Sequence, residues 1–191
     1  MGNAWPAAER RLLAELDRAA SAPSAAAALE RIAGRVLAAL ARAPGEIEAW
    51  EDVPLEAYGT GALPPEIRSS WVFALRRGVA TGAERHPNSR QRMFSWSGGG
   101  DFQVHDGVRW VSHRLSGDRG ARLEERWLSI PPDTWHQGVV GDDDWVVVSF
   151  HTVRKAELVE ERPDPADPDP FHPSRTRRRR YADVVQPGSR R

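Results

Sequence analysis

Apolar residues over the first forty positions recur at helical spacing. Leu12, Leu13 and Leu16 form one stripe; Leu29, Ile32, Val36, Leu37 and Leu40 form a second, in an Ala-rich stretch covering residues 5–43. Ser21-Ala22-Pro23-Ser24 separates the two, with Ser24 in position to cap the second helix, and Pro44-Gly45 ends it. The pattern predicts an N-terminal helical hairpin over residues 1–45 whose narrow stripes dock on another layer. A DNA-binding helix-turn-helix fits less well. The break carries a proline, and outside its stripe the second helix is mostly Ala and Leu with only Arg31, Arg35 and Arg42 basic.

The period then changes. Between residues 46 and 158, short β-rich runs alternate with Gly, Pro, Asp and Asn: Trp71–Leu75, Arg90–Ser97, Asp101–His105, Val108–Leu115, Arg122–Ile130 and Trp145–Val153. Asp106-Gly107 reads as a two-residue hairpin turn. Strands at this interval with little helix between them predict a mainly β domain, an antiparallel sandwich or barrel. All tryptophans except Trp5, Trp50 and Trp135 fall in these runs, as filling a small barrel requires. Over residues 159–191 the pattern fades. The Pro163–Pro170 stretch alternates Pro with Asp and cannot extend a ladder, and Arg175–Arg180 is a block of like charge, so a disordered tail is expected.

Composition narrows the chemistry. The chain has 191 residues, 40% of them apolar, with 27 basic and 27 acidic side chains. One domain with extensions fits that length, and zero net charge gives no overall pull toward nucleic acid or membrane. No apolar run approaches the roughly 20 residues of a membrane span. The opening Met-Gly-Asn-Ala-Trp-Pro lacks the pattern of a secretory signal, so a cytoplasmic protein is expected. Arg far outnumbers Lys, as in GC-rich bacterial genomes. The absence of cysteine excludes thiolate ligands, leaving oxygen and imidazole nitrogen to hold any metal.

Two stretches carry such groups. The first runs Gly78, five residues, Glu84, one residue, His86, four residues, Gln91, six residues, Gly98. The second is Pro131-Pro132-Asp133-Thr134-Trp135-His136. They lie about fifty residues apart, a separation that a small β-barrel closes at its mouth. The first spacing resembles the leading motif of the cupin family, a glycine, five residues, His-x-His, three or four residues, Glu, six residues, glycine. Glu84 stands at the first histidine and Gln91 at the glutamate, while His86 is unchanged. In the second cupin motif Pro131 and His136 match, whereas Glu125, Asp133 and Val140 replace its glycines and asparagine. The resemblance implies a double-stranded β-helix, a jelly-roll barrel, over residues 46–158.

Glu84, His86 and His136 supply one carboxylate and two imidazoles, a set suited to one divalent metal, Fe(II) first, with Mn, Ni or Zn as alternatives. Gln91 offers a weak amide ligand or a hydrogen bond to a metal-bound group. His136 and Gln91 are therefore the candidate catalytic residues. Met93, Arg126, Trp135 and His151 are candidate substrate contacts, with Arg76 a second candidate clamp. His151 reaches the cavity only if Val147 and Ser149 face inward with it. The opposite register, with Val146, Val148 and Phe150 inward, fits a packed barrel better. Arg90 and Arg92 should face away from Gln91, toward the helices or a second subunit. His105 and His113 flank the hairpin turn and are expected to be exposed. The resemblance implies a small-molecule dioxygenase-like enzyme. A non-catalytic ligand-binding module and a metal-independent sugar isomerase or epimerase are the alternatives. A homodimer is the expected assembly.

Overall fold

A computed structural model describes residues 5–164 and 176–180. Two helices, α1 (Ala7–Ser21) and α2 (Pro23–Arg42), lead into strands β1 (Glu48–Asp52), β2 (Ser69–Leu75), β3 (Gln91–Ser97), β4 (Gly99–His105), β5 (Trp110–Ser116), β6 (Trp127–Ile130), β7 (His136–Val140), β8 (Trp145–His151), β9 (Val159–Pro163) and β10 (Thr176–Arg180). Five strands form one antiparallel sheet in the order β1-β2-β8-β3-β6. Three form a second in the order β5-β4-β7, and β9 pairs with β10 as a ribbon. The two sheets close over one interior as a jelly-roll barrel.

The hairpin forms where the stripes placed it, with one local difference. The helices meet at Ala22, and Pro23 occupies the first turn of α2. Ser24 therefore lies inside the helix and caps nothing, because proline already starts that turn without needing a donor. Leu13, Leu16, Leu29, Ile32, Val36 and Leu40 are all buried. They pack on the outward-facing residues of the larger sheet, among them Val72, Ala74, Phe94, Trp127, Val146, Val148 and Phe150. Trp127 stacks on Phe94 with ring centroids 4.5 Å apart, and its indole N–H donates to Asp17 of α1 at 2.8 Å. Arg92 donates to Glu9 and Glu66, so it does face the helices. Arg76 donates to the carbonyls of Leu40, Ala43 and Glu46 and closes the end of α2, a structural role in place of the substrate clamp.

The β4–β5 hairpin is present but its loop has four residues, with His105 opposite Trp110. The Asp106 carboxylate explains the extra length: it accepts the N–H groups of Val108 and Arg109, both at 2.9 Å. His105 is buried against Trp110, contrary to its expected exposure, because that wider loop folds its ring back on the indole. His113 is partly buried. Four strands, β1, β7, β9 and β10, escaped the sequence pattern. Leu123–Arg126 is a helical turn inside a run that reads as strand.

Ordered structure continues past residue 158, where the tail was expected to begin. Strand β9 is held by charge, since Glu160 and Glu161 are buried and pair with Arg162, Arg85 and Arg178. His172, with residues 165–175 and 181–191 of the expected tail, lies outside the described residues. None of the helices is long and apolar enough to cross a membrane.

Candidate metal centre

Glu84 and His86 sit on an extended segment held between two partners. Glu84 exchanges both backbone hydrogen bonds with His136 of β7, at 2.9 and 2.8 Å. Arg85, one residue on, exchanges both with Glu161 of β9 at 2.9 Å. Side chains alternate along such a segment, so Glu84 and His86 turn inward and Arg85 turns out. The motif glycines that bound it, Gly78 and Gly98, both have positive φ, 69° and 71°. A Cβ on Gly98 would also come within 2.5 Å of the Asp144 carbonyl. Asp133, where the cupin pattern has a glycine, has φ 59°. Aspartate is one of the few other residues that adopts this conformation readily.

The three side chains converge. His136 Nε2 is 3.6 Å and His86 Nε2 is 4.0 Å from Glu84 Oε1. One ligand atom from each residue lies within 4.8 Å of the others. Main-chain carbonyls set both imidazoles: His86 Nδ1 is 3.2 Å from the Val159 carbonyl and His136 Nδ1 is 2.9 Å from that of Thr134. A carbonyl only accepts, so each Nδ1 carries a proton, and Nε2 is the nitrogen that each ring turns to the common point. His136 Nε2 is buried with no hydrogen-bond partner. Burial, outweighing the opposing Glu84 carboxylate, pushes His86 down to about 4, so its lone pair is available at neutral pH. Burial alone would raise the Glu84 carboxyl. The Arg162 guanidinium outweighs it and holds that group well below the usual carboxylate range. Arg162 reaches Glu84 Oε2 from β9 and also donates to Glu160 and to the Thr81 carbonyl.

Beside this cluster is a cavity of about 40 Å³, room for a few water-sized groups. Its walls are Phe73, Leu75, Met93, Phe102 and Val147; its polar lining is Glu48, Thr81, Glu84, Gln91 and Ser149. Gln91 donates from Nε2 to Ser149 Oγ at 3.2 Å, and its Oε1 is buried without a partner. His151 bridges Ser149 and Ser89, 3.0 and 3.2 Å away, with its ring 5.0 Å from that of His86. Burial, chiefly, holds His151 well below its ordinary value. The inward register on β8 is therefore Val147-Ser149-His151. The apolar register faces outward because the hairpin, and not water, covers that side.

Met93 lines the cavity. Arg126 does not reach it. Its guanidinium lies on the helix side, 3.0 Å from Asp17, because the turn Leu123–Arg126 points it at α1. Trp135 is buried under the Arg85 guanidinium, 4.7 Å from its ring centre, away from the cavity lining. Arg162, the Val159 carbonyl, Ser89 and Ser149 were missed. The acidic-basic alternation Glu160-Glu161-Arg162 was the one available signal, and the adjoining prolines obscured it.

No family model and no curated protein matches the chain. Three solved structures illustrate its likenesses. A capsular polysaccharide assembling protein, CapF, from Staphylococcus aureus has 21% identity over 53% of this chain and 25% of that one, with a TM-score of 0.39. The coconut allergen cocosin has 18% identity over 47% and 22%, with a TM-score of 0.40. Procruciferin, an 11S globulin from Brassica napus, has 16% over 44% and 21%, with a TM-score of 0.38. The likeness spans about a quarter of those chains.

Proposed function

We infer that this barrel is a mononuclear-metal enzyme of dioxygenase-like chemistry acting on a small organic molecule, with Glu84, His86 and His136 holding the metal. One observation carries the reading: three donor atoms face one point, and both imidazoles have their protons committed elsewhere. Two nitrogens and one carboxylate oxygen suit Fe(II), with Mn, Ni or Zn fitting the same donors. A bound Fe(II) would supply the means to activate dioxygen. The protein's own groups do the rest. Arg162 keeps Glu84 ionised and turned so that Oε1 points at the histidines. The apolar walls of the cavity exclude water from a substrate of a few heavy atoms. Gln91 and His136 act at the reacting end of that space, Met93 lines its side, and His151 supports it through Ser149.

A second reading is a non-catalytic small-molecule binding module. The Arg162–Glu84 pair favours it, since it balances the carboxylate without an ion. The sugar isomerase alternative fits less well, as a cavity of about 40 Å³ is far smaller than a sugar ring.

Elemental analysis of protein purified without chelators or a His-tag separates the two readings. We expect about one metal ion per chain, falling to background in Glu84→Ala and His136→Ala, and dioxygen consumption by the Fe(II)-loaded protein when substrate is present. Unchanged metal content in both variants would overturn the metal assignment. Ligand-induced stabilisation without oxygen uptake would favour the binding module.

A further inference from the structure

We propose that Gln91 Oε1 anchors a short aliphatic ligand carrying one O–H or N–H donor, with a directed hydrogen-bond chain through Ser149, His151 and Ser89 holding the amide in place. This rests on the cavity being a ligand site and does not require the metal. The direction of the chain follows from its far end. Ser89 Oγ lies 3.2 Å from the Arg90 carbonyl, which only accepts, so the Ser89 hydroxyl proton is used there. Its lone pairs then accept from the Thr152 N–H at 3.2 Å and from His151 Nδ1–H at 3.2 Å. With its proton on Nδ1, His151 accepts at Nε2 from Ser149 Oγ–H, 3.0 Å away. Ser149 Oγ is left to accept from Gln91 Nε2–H at 3.2 Å.

Each link fixes the next, and the last sets the amide. Nε2 must face Ser149, so Oε1 faces the other way. That oxygen belongs to a side chain only 7% exposed and has no hydrogen-bond partner. A buried amide oxygen left unpaired is costly, and a donor entering the cavity relieves that cost. The other walls define the rest of the ligand. Phe73, Leu75, Met93, Phe102 and Val147 offer apolar surface, Glu48, Thr81 and Glu84 are the further polar lining, and about 40 Å³ admits only a few heavy atoms. A molecule with a donor at one end and a short hydrocarbon body matches both.

The sequence provides a reporter for the test. Met1 and Met93 are the only methionines, so a ¹³C-methyl-methionine label places a single signal in the cavity. The probes are 1-propanol and its isomer ethyl methyl ether, which has the same atoms and no donor. They are titrated into metal-free and Zn(II)-loaded protein. The Met93 methyl should shift saturably with 1-propanol, and the ether should bind about tenfold more weakly with or without zinc. In Gln91→Leu and in Ser149→Ala the ratio should fall toward one. Equal binding of the two isomers to the unmodified protein, an unmoved Met93 signal, or a preference that survives Gln91→Leu would overturn the proposal. Failure of the metal reading would appear in the elemental analysis and leave this ratio unchanged.

Discussion

The two faces of the five-stranded sheet are both buried, yet they differ in polarity. The outer face is apolar: Val146, Val148 and Phe150 of β8 and Phe94 of β3 lie under the helical hairpin. The inner face of the same strands carries Gln91, Ser149 and His151 beside Met93 and Val147. Because α1 and α2 add a second apolar core on the outer face, the barrel interior, with its own core of Leu75, Phe102, Leu128, Ile130, Trp145 and Val147, is not the sole source of burial. It can hold bare lone pairs and an unpaired amide oxygen that a barrel stabilised only from inside could not tolerate. The helices also cover the broad face that a dimer would otherwise protect.

The comparison breaks most sharply at Trp127. This side chain is fully buried, stacks on Phe94 and Phe150, and bonds to Asp17. Trp127→Ala should cost about 3–5 kcal/mol in a chemical denaturation experiment. A loss of less than about 1 kcal/mol would show that the hairpin is not the main source of stability.

Acid should act from the cavity side, where His86 and His151 lie. Free imidazole titrates near 6.5, and His86 is held at about 4 in the fold. The unfolded chain therefore takes up this proton first. The stabilisation is fully present above 6.5 and is lost as pH falls toward 4, by about 3 kcal/mol for this one group. Glu9 and Glu84, both held below their ordinary 4.5, stay charged above that value, so the window from 6.5 to 4.5 belongs to the histidines. Urea midpoints of metal-free protein across that window should decline with acid, and His86→Asn should flatten the decline. An unchanged slope in that variant would mean that another group dominates.

Neighbouring residues of β8 give the finest contrast. Val148 faces the helices and Ser149 the cavity. Val148→Ser should cost about 2 kcal/mol by burying a hydroxyl among hydrocarbon. Ser149→Ala should cost about 1 kcal/mol and lose the ligand preference described above. Equal stability losses in the two variants, with ligand preference intact in both, would erase the distinction between the faces.

Much of this was legible in the chain. The helical stripes placed the hairpin, and the spacing from Gly78 to Gly98 placed Glu84 and His86 on one side of a short extended segment. Proline and histidine at the right separation brought His136 to meet them. The errors share one physical cause. Alternation shows which residues share a face but not which face meets water or another layer, so β8 read as if its valines filled the barrel. Arg126 read as a clamp because a four-residue helical turn is too short to leave a periodic mark. Strand β9 read as tail because charges that look solvated in sequence are here buried opposite partners drawn from elsewhere.

Local pattern alone determined the helical hairpin, six of the strands, the shared face of Glu84 and His86, and the glycines at positive φ, since these depend on backbone sterics and nearest neighbours. Tertiary structure alone decided that Arg162 neutralises Glu84, that Val159 and Thr134 set the imidazole protons, and that the hairpin lets the interior be polar. Those outcomes depend on groups far apart in sequence becoming neighbours, and burial changes the strength of a charge or hydrogen bond only after the chain has closed around it.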